Sequence, residues 1–190
     1  MTFLTDFGDL AVLLPLGGAI LLWLLMVRSR HAAAWWLLAL VLCIGAIGLL
    51  KMYFFACPTF IPVRSPSGHT GLAVLIYGAI AGFVALNASG WVRAAALGAG
   101  VTLITGIALS RLALGAHNTV EVLIGCAIGA AALGLFARGG AANFRQPSMP
   151  TRRLLLAVVV IVAVMHGHEL RAEAMLQAVG LYLKGNPLCF

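Results

Sequence analysis

The chain has 190 residues, of which 63% are hydrophobic and 9% are charged, with a formal net charge of +7. A soluble domain carries roughly 25% charged residues, so this composition excludes an ordinary water-exposed fold and points to a bilayer as solvent. The basic residues are scattered among connections instead of gathered with aromatics in one groove, which argues against a nucleic-acid surface.

The opening stretch, MTFLTDFGDL, lacks a basic leader and carries Asp6 and Asp9, so a cleaved signal peptide is not expected. Apolar runs then recur at lengths suited to a ~30 Å hydrocarbon core. They predict spans over 11–27, 32–50, 70–86, 91–109, 120–136 and 154–170. Helices are expected because a helix satisfies its own backbone hydrogen bonds in lipid. The last run is interrupted, its strictly apolar part stopping at Met165 before His166, Gly167 and His168. Beyond it, Ala172, Met175, Leu176, Val179 and Leu183 fall at helical spacing. Residues 169–184 therefore read as a helix lying along the interface or packed on the bundle. Trp35, Trp36 and Trp91 lie near predicted boundaries, as aromatic belts do. The expected fold class is all-α, an integral membrane bundle of six transmembrane helices forming one domain over 1–190.

Orientation follows from the connections. Those after the first, third and fifth spans hold Arg28, Arg30, Arg93, Arg138, Arg145, Arg152 and Arg153, seven of the twelve Lys and Arg residues. The positive-inside rule makes that side cytoplasmic and puts both termini outside. Three polar segments then share the outer, periplasmic face: the end of span two at Lys51, RSPSGHT from Arg64 to Thr70, and SRLALGAHNTVE from Ser110 to Glu121. The hairpin of spans three and four separates His69 from Arg111 and His117 and returns them to one membrane face. Lys51, Arg64, His69, Arg111, His117 and Glu121 are thus expected to converge there, and ionisable groups at membrane depth mark functional sites.

That set suits an anion. The turn Ser67-Gly68-His69 opens span three, where backbone N–H groups and the positive end of the helix dipole favour negative charge. Gly68 permits close backbone approach. Arg64 and Arg111 offer planar forks for phosphate, and Lys51 a point charge. His117 and Glu121 stand four residues apart, on one face of a helix. A carboxylate bonded to one ring nitrogen fixes the tautomer and leaves the other nitrogen to attack. His69 is then placed to act as general acid on the leaving oxygen. The same histidines and carboxylate also suit a transition metal, but three neighbouring cations oppose a metal ion and favour an anion. Cys43 and Cys126 read as buried thiols within helices. Cys57 and Cys189 fall on the outer side, where thiols oxidise; no spacing rule sets their separation, and the sequence leaves open whether they pair.

The blocks SPSGH (Ser65–His69) and SR-x5-H-x3-E (Ser110, Arg111, His117, Glu121) resemble the second and third signature motifs of the type 2 phosphatidic acid phosphatase family. Lys51 fits the start of that family's first motif. The resemblance extends over 51–136 and matches the six-span layout with an outward site. Two positions depart from the pattern: Glu121 stands where the family usually has Asp, and Cys57-Pro58 occupies the region of the first motif's Arg-Pro. Arg64 is the candidate replacement for that arginine.

The resemblance implies a metal-independent phosphoesterase that works through a phosphohistidine and needs no cofactor; the small size and short loops favour a bacterial inner membrane as its place. His117 would be the nucleophile, Glu121 its orienting carboxylate and His69 the proton donor. Lys51, Ser67, Gly68 and Arg111 would hold the phosphate oxygens, with Arg64 beside them. The implied partner is a lipid phosphate or diphosphate, of the undecaprenyl diphosphate, phosphatidic acid or phosphatidylglycerol phosphate class. A phosphotransferase using the same intermediate, or a membrane carrier or scaffold retaining the fold, are the alternatives.

Overall fold

The computed structural model of the chain describes residues 2–57, 63–140, 151–168, 170 and 172–182. Among these residues it forms α-helices and no strand: α1 (Thr2–Asp6), α2 (Leu10–Met26), α3 (Arg30–Ala56), α4 (Gly68–Leu86), α5 (Gly90–Ala113), α6 (Thr119–Gly140), α7 (Thr151–Met165) and α8 (Ala172–Tyr182). Among the described residues five segments are long and apolar enough to cross a membrane: Phe3–Met26 (α1 with α2), and helices α3, α4, α5 and α6. The protein is a helical membrane bundle, as its composition requires.

The sixth expected span differs. Among the described residues, the expected span 154–170 corresponds to α7, whose 15 residues rise about 22 Å. The helix stops where Gly167 adopts φ +84°, a left-handed conformation that terminates helices. Its end is fixed by His166 Nε2, 3.1 Å from the Phe3 carbonyl, with the ring between Phe3 and Phe7. Helix α8 then packs back along α3.

Consecutive long helices run antiparallel, so the bundle has two chemically different ends. One carries the Asp9 turn, Lys51, the start of α4, Arg111 and the start of α6. The other carries Arg28, Arg30, Arg93, Arg138, Arg152 and Arg153. Arg145 lies outside the described residues. At the basic end the α2–α3 turn is closed by Ser29 N–H to Leu24 O (3.0 Å) and Arg28 N–H to Leu25 O (3.0 Å). This is the Schellman pattern, with Arg28 at φ 58° in the position usually given to glycine.

Helix α4 is the most buried span and α5 the least. Around α4 the core gathers Leu13, Leu16 and Ile20 of α2, Trp36 of α3, and Leu75 and Ile76. Trp36, read from sequence as part of an interfacial belt, is fully buried. Its indole N–H donates to the Gly17 carbonyl at 2.9 Å, a partner that a buried indole requires. Trp91 is 80% exposed at the start of α5, where a belt residue belongs. Leu22, Val41, Leu49, Val101, Leu123 and Val159 point outward; together they would form an oversized apolar patch in water and instead face lipid.

Helices α4 and α6 cross at backbone contact. A Cβ on Gly125 would strike the Ser67 carbonyl, and one on Gly129 the Gly71 carbonyl. A Cβ on Gly71 would lie 2.7 Å from Ile47 Cδ1. The Gly125-x-x-x-Gly129 spacing on α6 allows this approach, as small residues do between membrane helices. It brings the starts of α4 and α6 side by side.

Candidate active site

Each polar residue of the site is set by a helix terminus. Helix α5 ends in a second Schellman turn: Ala116 N–H bonds Arg111 O (3.1 Å), and Gly115 N–H bonds Leu112 O (3.0 Å). Gly115 takes φ +63°, which a residue with a Cβ adopts only with strain. The same Arg111 carbonyl accepts from His117 N–H at 3.3 Å. The five residues between Arg111 and His117 are therefore the length of one helix stop, which sets the guanidinium and the imidazole on adjoining turns.

Helix α6 begins with a capping box. Asn118 Oδ1 accepts from Glu121 N–H (2.9 Å), and Glu121 Oε2 accepts from Asn118 N–H (3.1 Å). The box holds the Glu121 carboxylate at the helix start, where it does more than cap. Oε2 also contacts His117 Nδ1 at 2.9 Å. Oε1 accepts from the backbone N–H of Arg64 (2.5 Å) and of Ser65 (3.1 Å), and Ser67 N–H donates to the Glu121 carbonyl at 3.0 Å. One buried carboxylate thus receives four hydrogen bonds and joins the third block to the second. A carboxylate accepts but cannot donate, so the bond to His117 fixes the proton on Nδ1 and the lone pair on Nε2.

Ser67 caps α4. Its Oγ accepts from Thr70 N–H (3.4 Å) and lies 2.9 Å from Thr70 Oγ1. Ser65 Oγ accepts from the ammonium of Lys51 at 3.4 Å. Lys51 is 4% exposed, so its long stem is buried and its charge is held at the end of α3. Arg111 is half-buried, while the Arg64 side chain is exposed and its backbone is held on Glu121.

Beside this cluster lies a cavity of about 410 Å³, lined at its polar end by Lys51, Gly68 and His69 and elsewhere by apolar side chains including Leu14, Ile44, Met175 and Leu176. A Cβ added to Gly68 would sit in ordinary contact, 3.6 Å from Ile47 Cγ2 and 3.8 Å from Lys51 Cε, so an alanine would fit there with its methyl taking up part of the space next to Lys51. The expected residues therefore fall into two adjoining groups. Lys51, Gly68 and His69 line the cavity; Glu121 joins His117 to the Arg64–Ser67 turn. Arg64, Arg111 and His117 are not among the cavity's lining residues.

Several participants were given no role from sequence, although Ser65 and Ser110 stood inside the two quoted blocks. Asp9 caps α2, its Oδ1 accepting from Ala11 N–H (2.8 Å) and Leu170 N–H (3.1 Å), and its Oδ2 lies 3.6 Å from His69 Nε2. Asn118 and Ser65 act through the bonds above. Ser110, fully buried, shares a 2.7 Å hydroxyl contact with Thr5 of α1. Asp9 shares a bundle end with His69, a relation that chain topology already contained.

Cys43 and Cys126 are free thiols. Cys57, whose pairing the sequence left open, is disulfide-bonded; it follows the last residue of α3, where the backbone leaves the helix and turns extended. Cys189 lies outside the described residues.

The model of the PAP2 superfamily matches residues 51–145, half of the chain. A 22.5 kDa protein from the cps region of Klebsiella pneumoniae, itself described as uncharacterized, is 29% identical over 134 residues, which make up 68% of this chain and 64% of that protein. The chain thus spans less than two thirds of the length of that relative. No solved structure matches it. The match runs from Lys51 through both signature blocks and the helices that present them, and the chain belongs to the PAP2 superfamily.

Proposed function

We propose that the protein is a membrane phosphatase that hydrolyses a lipid phosphate or diphosphate through a phosphohistidine on His117, without a metal. The observation that carries this reading is the Glu121 carboxylate, bonded at once to His117 Nδ1 (2.9 Å) and to the Arg64 and Ser65 N–H groups. It orients a nucleophile and fixes that nucleophile against the turn that would hold the phosphate.

In the first step His117 Nε2 attacks phosphorus and the bond to the leaving oxygen breaks. The electron pair goes to that oxygen, which takes a proton from His69. In the second step water attacks phosphorus, gives a proton to His69, and the P–N bond breaks back to His117. Lys51, Arg111, the Ser67 hydroxyl and the α4 N-terminus at Gly68 stabilise charge on the phosphoryl oxygens, and Arg64 completes the set.

The lipid class rests on the cavity, which places apolar walls beside Lys51 and His69 and suits a tail that stays in the membrane while its head group reaches the cations. The outward orientation rests on the basic residues at the opposite end. Undecaprenyl diphosphate, phosphatidic acid and phosphatidylglycerol phosphate share the required chemistry.

The test is phosphate release by the purified protein across a lipid panel, with and without chelator and vanadate. Expected are turnover that survives the chelator, inhibition by vanadate, and loss of activity in His117→Ala. Full activity in His117→Ala, or strict dependence on a metal, overturns the mechanism. Radiolabel retained in an acceptor lipid instead of released as phosphate overturns hydrolysis in favour of transfer.

A further inference from the structure

Several close contacts hold the turn before α2. Thr5 bonds Ser110 (2.7 Å) and the Tyr77 hydroxyl donates to the Phe7 carbonyl (2.7 Å). Gly8 sits so close to its neighbours that a Cβ there would lie 2.7 Å from Ile107 Cγ2 and 3.3 Å from His69 Cβ. These contacts tie α1 and the turn to α4 and α5, with the backbone of residue 8 resting on His69. The next residue is Asp9, 7% exposed, with one carboxylate oxygen held by two backbone N–H groups. Its other oxygen faces His69 Nε2 at 3.6 Å, too long for a direct hydrogen bond and within ion-pair reach.

We propose that Asp9 is the positioning residue of His69, a second carboxylate–histidine pair that holds the proton donor as Glu121 holds the nucleophile. The inference rests on His69 acting as general acid. With Asp9 at Nε2, Nδ1 is the nitrogen that gives its proton to the leaving oxygen and takes one from water. An imidazolium in a cavity shared with the Lys51 ammonium needs an opposite charge nearby, and Asp9 supplies it. Asp9 also bonds Leu170 N–H, beside the α8 wall of the same cavity, so one side chain sets both the acid and the edge of the space in front of it.

A carboxylate that positions an acid matters most when the leaving group is poor. The test compares kcat/KM for short-chain phosphatidic acid, whose leaving alcohol needs a proton, with that for 4-nitrophenyl phosphate, whose leaving group does not. Asp9→Asn keeps an acceptor for Ala11 and Leu170 N–H while removing the charge, and Asp9→Ser keeps a helix cap without any group able to reach His69. General acid catalysis is worth about 10²–10⁴, so both variants are expected to lose about 10- to 100-fold on the alkyl phosphate and less than about threefold on the nitrophenyl ester. Equal losses on both substrates, or none on either, overturn the positioning role. His69→Ala separates this from failure of the underlying reading: if it shows no leaving-group selectivity, His69 is not the acid and both inferences fall. Selectivity in His69→Ala without selectivity in the Asp9 variants overturns only the role of Asp9.

Discussion

Replacing Glu121 by Gln tests whether the shared carboxylate sets the nucleophile. The carboxylate faces four donors, two per oxygen: Arg64 and Ser65 N–H on Oε1, His117 Nδ1–H and Asn118 N–H on Oε2. An amide has one acceptor oxygen, so its NH₂ must face one of the pairs. If the NH₂ turns to the loop, two backbone N–H groups lose hydrogen bonds to a charge worth about 1.5–3 kcal/mol each, about 3–6 kcal/mol together. If it turns to His117, the imidazole relieves the conflict by moving its proton from Nδ1 to Nε2, and only the Asn118 N–H stays opposed, at about 1.5–3 kcal/mol. The second arrangement costs less and leaves the protein folded, but it protonates the attacking nitrogen. A wrong histidine tautomer costs about 10⁴ in turnover, or about 5 kcal/mol of barrier. Glu121→Gln is therefore expected to keep most of its thermal stability and lose about 10³–10⁴ in kcat for phosphate release from short-chain phosphatidic acid in detergent micelles. Turnover within tenfold of the unmodified protein would refute the assignment of the Nδ1 proton to Glu121.

Gly68→Ala places a methyl in ordinary contact with Ile47 and Lys51, so its melting temperature should hold while KM for a lipid phosphate rises about tenfold or more, about 1.4 kcal/mol; an unchanged KM would show that phosphate does not occupy the space beside Lys51. Arg64→Ala keeps the backbone N–H that Glu121 uses, so its effect isolates the guanidinium. It should lower kcat/KM about as much as Arg111→Ala, and near-normal turnover would remove Arg64 from the phosphate ligands.

The long helices were legible because charge is costly in lipid and confined to their ends, which makes each apolar run visible. Their ends were not. The run before Lys51 breaks at 50, yet α3 continues to Ala56, because a lysine whose stem is buried against neighbouring helices does not interrupt backbone bonding. Gly167 ended α7 earlier than hydropathy alone suggested. Of the site, the pairing of His117 with Glu121 could be read from i,i+4 spacing, and the convergence of the three segments from topology. The two bonds from Glu121 to the loop span 57 and 56 residues, and no local pattern encodes them. Asp9 was invisible for a related reason: a single acid near a terminus has no periodic partner, and its contact with His69 exists only once Gly8 has let the turn close on α4.

The long reach of Glu121 also bears on how the protein is made. The loop at Arg64 and Ser65 is synthesised before α5 and α6, and its two N–H groups remain hydrated until Glu121 arrives. A nascent chain halted after α4 holds Lys51 and His69 but lacks the nucleophile and the carboxylate that organises the turn. On the proposed mechanism, phosphate chemistry therefore requires that α6 has met α4 at Gly71, Gly125 and Gly129. On that reading the site is complete only once the starts of α4 and α6 stand side by side.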